Sequence, residues 1–191
     1  MRRMATLIAV SGMLLTQAFA QEVPRPAPEF VINMPNGSQT LLSQYSGKIV
    51  LLAFMLTTCP HCQHAVPILS AIQKDYAAKG VQILGTTFND GAPQLVPDFI
   101  AQFKPNFPVG SSPRVSVTEF QQHPPWKRAY VPEFIFIDRK RVIREQHSGD
   151  DDFFKDEDKS VRVVLDNLLK EPVAGKSAAP AKKSAAVKKA S

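Results

Sequence analysis

The only two cysteines of the chain stand two residues apart, in Cys59-Pro60-His61-Cys62. A Cys-x-x-Cys pair is either a dithiol that interconverts with a disulfide or one half of a metal site. A four-ligand zinc site needs a second pair or two suitably spaced histidines, and the sequence has no second pair. Thiol–disulfide exchange needs a thiolate, which the free N–H groups and partial positive charge of a helix N-terminus favour. If Cys59 opens a helix, Cys62 lies one turn inside. The first sulfur is then exposed and nucleophilic, and the second is buried and resolves the mixed disulfide. Pro60 suits a first helical turn, where its missing N–H is not needed. His61 adds partial positive charge beside the Cys59 thiolate, which stabilises the reduced form and makes the disulfide a better oxidant. A static structural disulfide is the bland alternative, but a bridge closing so small a loop constrains little unfolded-chain entropy.

Such a pair must be delivered by its neighbours in the chain. Ile49 to Leu56 is continuously apolar, the pattern of a central strand covered on both faces. Cys62 to Lys79 follows as a helix, with Ala65, Val66, Leu69, Ile72 and Tyr76 at helical spacing and a stop at Gly80. Val81 to Phe88 reads as a second buried strand. Val96 to Phe103 reads as a helix entered through Pro97, Phe107 to Val109 as a short strand and Val117 to Gln122 as a short helix. Glu133–Ile137 and Val142–Gln146 form a final strand pair, and a last helix runs from Ser160 to Lys170. Upstream, Pro24 to Pro28 is extended. Pro35-Asn36-Gly37 between Phe30-Val31-Ile32 and Gln39-Thr40-Leu41-Leu42 signals a hairpin. Alternating strands and helices predict an α/β sheet with helices on both faces. A site belongs at the carboxyl end of a central strand, where Cys59 lies.

These stretches resemble the thioredoxin superfamily, and most of all its secreted TlpA/ResA-like branch. The resemblance rests on Pro-Ala-Pro-Glu-Phe at 26–30, on Leu41 with Tyr45-Ser46-Gly47-Lys48-Ile49-Val50-Leu51-Leu52, on the cysteine pair, on Pro67, and on Val131-Pro132-Glu133-Phe134-Ile135-Phe136-Ile137-Asp138. It implies a thioredoxin fold: a central mixed β-sheet flanked by helices, with an N-terminal β-hairpin and a short central insertion. It also implies that Pro132 is a cis-proline against the cysteine pair, that Val131-Pro132 holds the client backbone and that Pro67 kinks the active-site helix. Three positions depart from the branch. Thr58 stands where Trp precedes the first cysteine, Ala65 where a Glu follows the second by three, and Ala53 where thioredoxin carries a buried Asp. Two acidic groups able to relay a proton at Cys62 are therefore missing. The Pro-His dipeptide and Val131 resemble the oxidant DsbA instead, which leaves the direction of electron flow open with a tilt toward an oxidising couple.

Arg2 and Arg3 before the apolar stretch Ala5–Ala20, ending Ala18-Phe19-Ala20, read as a signal peptide over 1–20, cut after Ala20, with an uncleaved anchor as the alternative. Residues 172–191 are Ala, Lys, Ser and Pro and read as a disordered tail. Seven of the 23 Lys and Arg lie in these ends, leaving 16 against 17 Asp and Glu in the body, so the net charge of +6 describes the ends. The body, 21–171, has the length of one thioredoxin-like domain. The expectation is an exported, periplasmic, monomeric thiol–disulfide oxidoreductase with protein thiol and disulfide clients and an unidentified redox partner. It calls for no cofactor, no bound metal and no nucleic acid. The basic tail offers a weak contact for anionic membrane lipid.

The alternative from another class is a Sco-like copper-binding or copper-delivery protein using Cys59 and Cys62 with His64, or with His123 or His147 as a distant partner. Sco proteins space their cysteines by three residues, which argues against it. Haem attachment fails because Gln63, not His, follows Cys62, and the Pro-x-x-x-Thr-x-x-Cys pattern of a peroxiredoxin is absent. Glu133 is expected to point outward at its strand start. The run Asp150-Asp151-Asp152 with Asp156-Glu157-Asp158 is expected as a solvated loop and helix N-terminus. Trp126 either faces a client or packs.

Overall fold

The computed structural model describes residues 23–123, 126 and 128–171. The expected signal at 1–20 and basic tail at 172–191 lie outside them. In chain order the first half holds β1 (Arg25–Pro26), β2 (Val31–Asn33), β3 (Gln39–Leu41), β4 (Ile49–Met55), α1 (Pro60–Tyr76) and β5 (Val81–Thr87). The second half holds α2 (Ala92–Phe103), β6 (Val109–Ser111), α3 (Arg114–Gln121), β7 (Glu133–Ile137), β8 (Val142–His147) and α4 (Glu157–Lys170). Short 3-10 turns lie at Leu42–Tyr45, Ala77–Lys79 and Asp152–Asp156.

Eight strands form one mixed sheet in the order β1-β8-β7-β4-β5-β6-β2-β3. β4, β5 and β6 run parallel, and β7 pairs antiparallel with β4. All seven residues of β4 are buried because both faces of the sheet are covered. Ile49, Leu51, Ala53 and Met55 enter one core with Cys62, Val66 and Leu69 of α1, Val96 and Phe99 of α2 and Val161 and Leu165 of α4. Val50, Leu52 and Phe54 enter a second core with Phe30, Ile32 and Val117 and Phe120 of α3. Phe54 anchors this second layer edge-on to Phe30 at 5.4 Å, and Phe120 closes on Phe30 at 5.0 Å. A buried side chain of this size contributes about 1.5–3 kcal/mol, and the ring geometry adds to it.

The hairpin read from Asn36-Gly37 is present: β2 and β3 pair in register, Gly37 takes φ +82°, and the Asn36 side chain accepts from Ser38 N. α1 itself ends at Tyr76, and the 3-10 turn Ala77–Lys79 carries the chain to the expected stop at Gly80, with φ +87°. All four helices begin earlier than their apolar spacing suggests, α1 at Pro60 rather than Cys62. α2 begins at Ala92, so Pro93 takes the N-terminal turn and Pro97 lies in the helix interior. Ala92, Val96 and Phe99 are all buried on one stripe, which is why the helix extends back through Pro97. α3 starts at Arg114 behind Pro113, and α4 starts at Glu157, where the Asp156 side chain caps Lys159 N. The short strand expected at 107–109 lies at Val109–Ser111. The extended Pro24–Pro28 segment holds β1, which pairs with β8 at the sheet edge.

Candidate active site

β4 delivers the cysteines. The chain leaves it at Met55, and Cys59 N donates to Leu56 O at 3.2 Å before α1 begins. Cys59 is the N-cap residue, with extended φ −83°, ψ 119°, and its carbonyl accepts from Gln63 N at 3.0 Å. Pro60 is the first helical residue, where no donor is missed. Pro67 lies inside the helix. Pro60 and His61 are exposed, Cys59 is partly exposed, and Cys62 is fully buried; both cysteines are free thiols. Two residues not anticipated as part of the site hold this loop. Gln63 Nε2 donates to Thr57 O at 2.8 Å, and Asn89 Oδ1 accepts from Thr57 N at 2.9 Å.

The Val131–Pro132 peptide bond is cis, as is Val23–Pro24. Because β7 is antiparallel to β4, its start lies beside the end of β4, and the Cys59 thiol donates to Val131 O at 3.9 Å. Gly149 seats this segment from behind. A Cβ there would stand 2.8 Å from Val131 C and O, so only glycine permits the approach. Gly149 N also donates to Tyr130 O. Trp126 is 79% exposed, which removes the packing reading for it.

Burial pushes the Cys62 thiol well above the usual thiol range; a backbone contact at Leu56 opposes this, and Cys59 and the charge of Glu157 reinforce it. Ala53 and Ala65 are buried in the same core as Cys62, so the two positions emptied of acid in the sequence lie in its core. Glu157 corrects the expectation of a solvated acidic run. Its Oε1 is buried and accepts no hydrogen bond among the described residues. Burial, with Asp158 adjacent, pushes its carboxyl up to about 7. The neighbouring acids do behave as expected, Asp151 capping Phe153 N and Asp156 capping α4.

Glu133 corrects a second expectation: it is 0% exposed. Glu133 Oε2 accepts from Gln121 Nε2 at 3.0 Å and from buried His123 Nε2 at 2.6 Å, and Oε1 accepts from Gln146 Nε2. Arg25, held by Phe120 O at 3.2 Å and Gln146 Oε1 at 2.7 Å, supplies an opposing charge. Glu133 shares the face of Ile135 and Ile137, against α3, and so lies across the sheet from Cys62. His147 is also engaged, by Asp151 at 2.9 Å and Glu145 at 3.1 Å, with its ring stacked on Phe153 at 4.0 Å. His64 is exposed. No group of three His, Cys, Asp or Glu suited to a metal occurs among the described residues, so neither His123 nor His147 joins the cysteines as a copper reading needs.

The arrangement suits one chemistry: a partly exposed sulfur at a helix start, a buried sulfur one turn on, and a main-chain carbonyl beside the first. Comparison with known proteins agrees in fold and family. The Redoxin family's sequence model matches residues 22–165. The thiol-disulfide oxidoreductase ResA of Geobacillus kaustophilus is 33% identical over 108 residues, covering 54% of this chain and 61% of that protein. The chain thus spans under two thirds of that relative's length. The thioredoxin-like protein YneN of Bacillus subtilis is 26% identical over 149 residues, covering 75% of this chain and 84% of that protein. A thiol:disulfide interchange protein of the thioredoxin family from Chlorobium tepidum shares the fold, with a TM-score of 0.62 at 23% identity over 76% of this chain and 99% of that one. With its mixed sheet, its flanking helices and a family match over most of its length, the chain belongs to the Redoxin family of the thioredoxin superfamily, near its ResA-like members.

Proposed function

We propose that this chain is an exported thiol–disulfide oxidoreductase that exchanges disulfides with protein clients through Cys59 and Cys62. What supports the reading most is the asymmetry of the two sulfurs: Cys59 is reachable at the N-cap, 3.9 Å from Val131 O, while Cys62 is sealed in the core. In the reducing direction the Cys59 thiolate attacks a client disulfide, one client sulfur leaves as thiolate, and a mixed disulfide forms. Cys62 then attacks Cys59 Sγ, releasing the second client sulfur and closing Cys59–Cys62. The oxidising direction is the reverse. Val131-Pro132 presents its main chain beside Cys59 to align the client, and Pro60 and His61 bias the potential. The name of the ResA relative supports the activity; export rests on the Arg2-Arg3 and Ala5–Ala20 pattern. Cys62→Ser should trap covalent adducts on Cys59 that reducing agents release, detected by mass spectrometry. Absence of any client or glutathione adduct on that variant would refute exchange through Cys59.

A further inference from the structure

We propose that Glu157 is the base that takes the Cys62 thiol proton when the Cys59–Cys62 disulfide closes. The inference deepens the exchange reading above and rests on it. Cys62 is fully buried and must lose a proton to attack, yet Ala53 and Ala65, which line the same core, bring no acid to it from β4 or α1. α4 packs against α1, and Val161 and Leu165 of α4 share the core of Cys62. Phe153 and Phe154, on the turn before α4, pack against that core as Cys59 does. Glu157 opens α4 on this side, with one carboxylate oxygen buried and unpartnered among the described residues, and its charge reaches Cys62. A carboxylate oxygen buried without donors costs stability, and a group so perturbed beside a reactive sulfur is suited to proton transfer.

The other charged groups around Glu157 do not satisfy it. Asp158 on its own helix repels it and is held by Arg162 at 3.0 Å. On the preceding turn Asp152 pairs with Lys155 at 2.8 Å and Asp156 caps Lys159 N. Glu145 of β8 pairs with His147. β4, beneath α4, contributes apolar side chains. From α1, Cys62 is the titratable group that its charge acts on.

The step balances as follows. The S–H bond of Cys62 breaks and its proton passes through one bridging water to the Glu157 carboxylate, which makes no direct hydrogen bond to the thiol. The electron pair left on Cys62 Sγ forms the bond to Cys59 Sγ. The bond from Cys59 Sγ to the client sulfur breaks, and the client leaves as thiolate. The carboxylic acid then returns its proton to solvent. In the oxidising direction the acid hands the proton back to Cys62.

The test uses the full chain and oxidised glutathione. Glutathionyl Cys59 is formed, and its decay to the internal disulfide is followed by rapid quench and mass spectrometry from pH 5 to 9. The wild-type rate should rise through an inflection near the Glu157 titration, about 7. Glu157→Gln should lose that inflection and resolve on the order of 10²-fold more slowly at pH 8. Glu157→Asp should keep the inflection at a reduced rate. A Glu157→Gln profile superimposable on wild type overturns the proposal while leaving exchange intact. Failure of Cys59 to accept glutathione in any variant overturns both. Unmodified protein gives a second check by carboxyl-carbon NMR: the Glu157 carboxyl should titrate near neutral pH in the reduced protein, at about 7, and titration in the ordinary carboxylate range overturns the proposal.

Discussion

Two glutamates are withdrawn from water on opposite faces of the same sheet, Glu133 wholly and Glu157 in part, and their surroundings differ in kind. Glu133, facing α3, accepts hydrogen bonds from Gln121, His123 and Gln146, with Arg25 adding charge. Glu157, on the cysteine side, keeps an oxygen with no donor among the described residues. Both hold carboxylate oxygen away from water; the supply of donors differs. A saturated carboxylate ties strands and helices together, and removing it strands its partners. A starved one keeps its proton up to near neutral pH, which makes its charged form a cost to the fold and its titration an asset to proton transfer.

The sharpest way to break this contrast is Glu133→Ala. It leaves three donors and the Arg25 charge without their acceptor and should lower stability by about 3–5 kcal/mol in urea denaturation. A loss under 1 kcal/mol would place Glu133 beside Glu157 as a dispensable charge. Glu157→Gln should act in the opposite direction. Its carboxyl has a folded pKa of about 7 against an ordinary 4.5. The folded state thus holds this proton more tightly, and stability declines as pH rises from about 4.5 to about 7 and stays reduced above. The variant should therefore be more stable than wild type by about 2 kcal/mol at pH 8 and equal to it at pH 4. A constant difference across pH would remove Glu157 as the titrating group.

Gly149→Ala probes the backing of Val131 and should cost on the order of 1 kcal/mol in thermal unfolding, with slower glutathionylation of Cys59 as the Val131 carbonyl is pushed out of place. The smallest effect belongs to exposed His61, whose field is screened by water. His61→Ala should move the potential, measured against glutathione, by a few tens of millivolts away from the oxidising end near about −120 mV and toward about −270 mV. An unmoved potential would show that buried groups alone set it.

Much of the frame was legible because it repeats a local rule. β4 is seven apolar residues in a row, α1 carries its apolar stripe from Ala65 to Tyr76, and both Asn36-Gly37 and Gly80 sit where positive φ is needed. The cysteine pair declared its place at a strand-to-helix junction through spacing and Pro60. What was not legible depends on residues far apart in sequence. β1 is two residues long and exists only through β8. Pro97 has the look of a first-turn proline in sequence, whereas burial of Ala92 extends α2 back through it. Glu133 at a strand edge looks solvent-facing until Arg25, Gln121 with His123, and Gln146 arrive from three separate segments. Glu157 looked like one more acid in a charged run; only the packing of α4 on α1 turns it toward the core.

The separation of Cys59 from Val131 by 72 positions has a consequence for biogenesis. β7 comes late in the chain yet lies at the centre of the sheet, against β4. While the chain is still emerging, its dithiol exists without the Val131 carbonyl beside it, without the Gly149 backing and without α4 over Cys62. A half-delivered chain is thus a pair of ordinary thiols, open to oxidation by whatever it meets. The selective reagent appears only when the last third arrives and long-range pairing closes the sheet, a step that non-local contacts make slow.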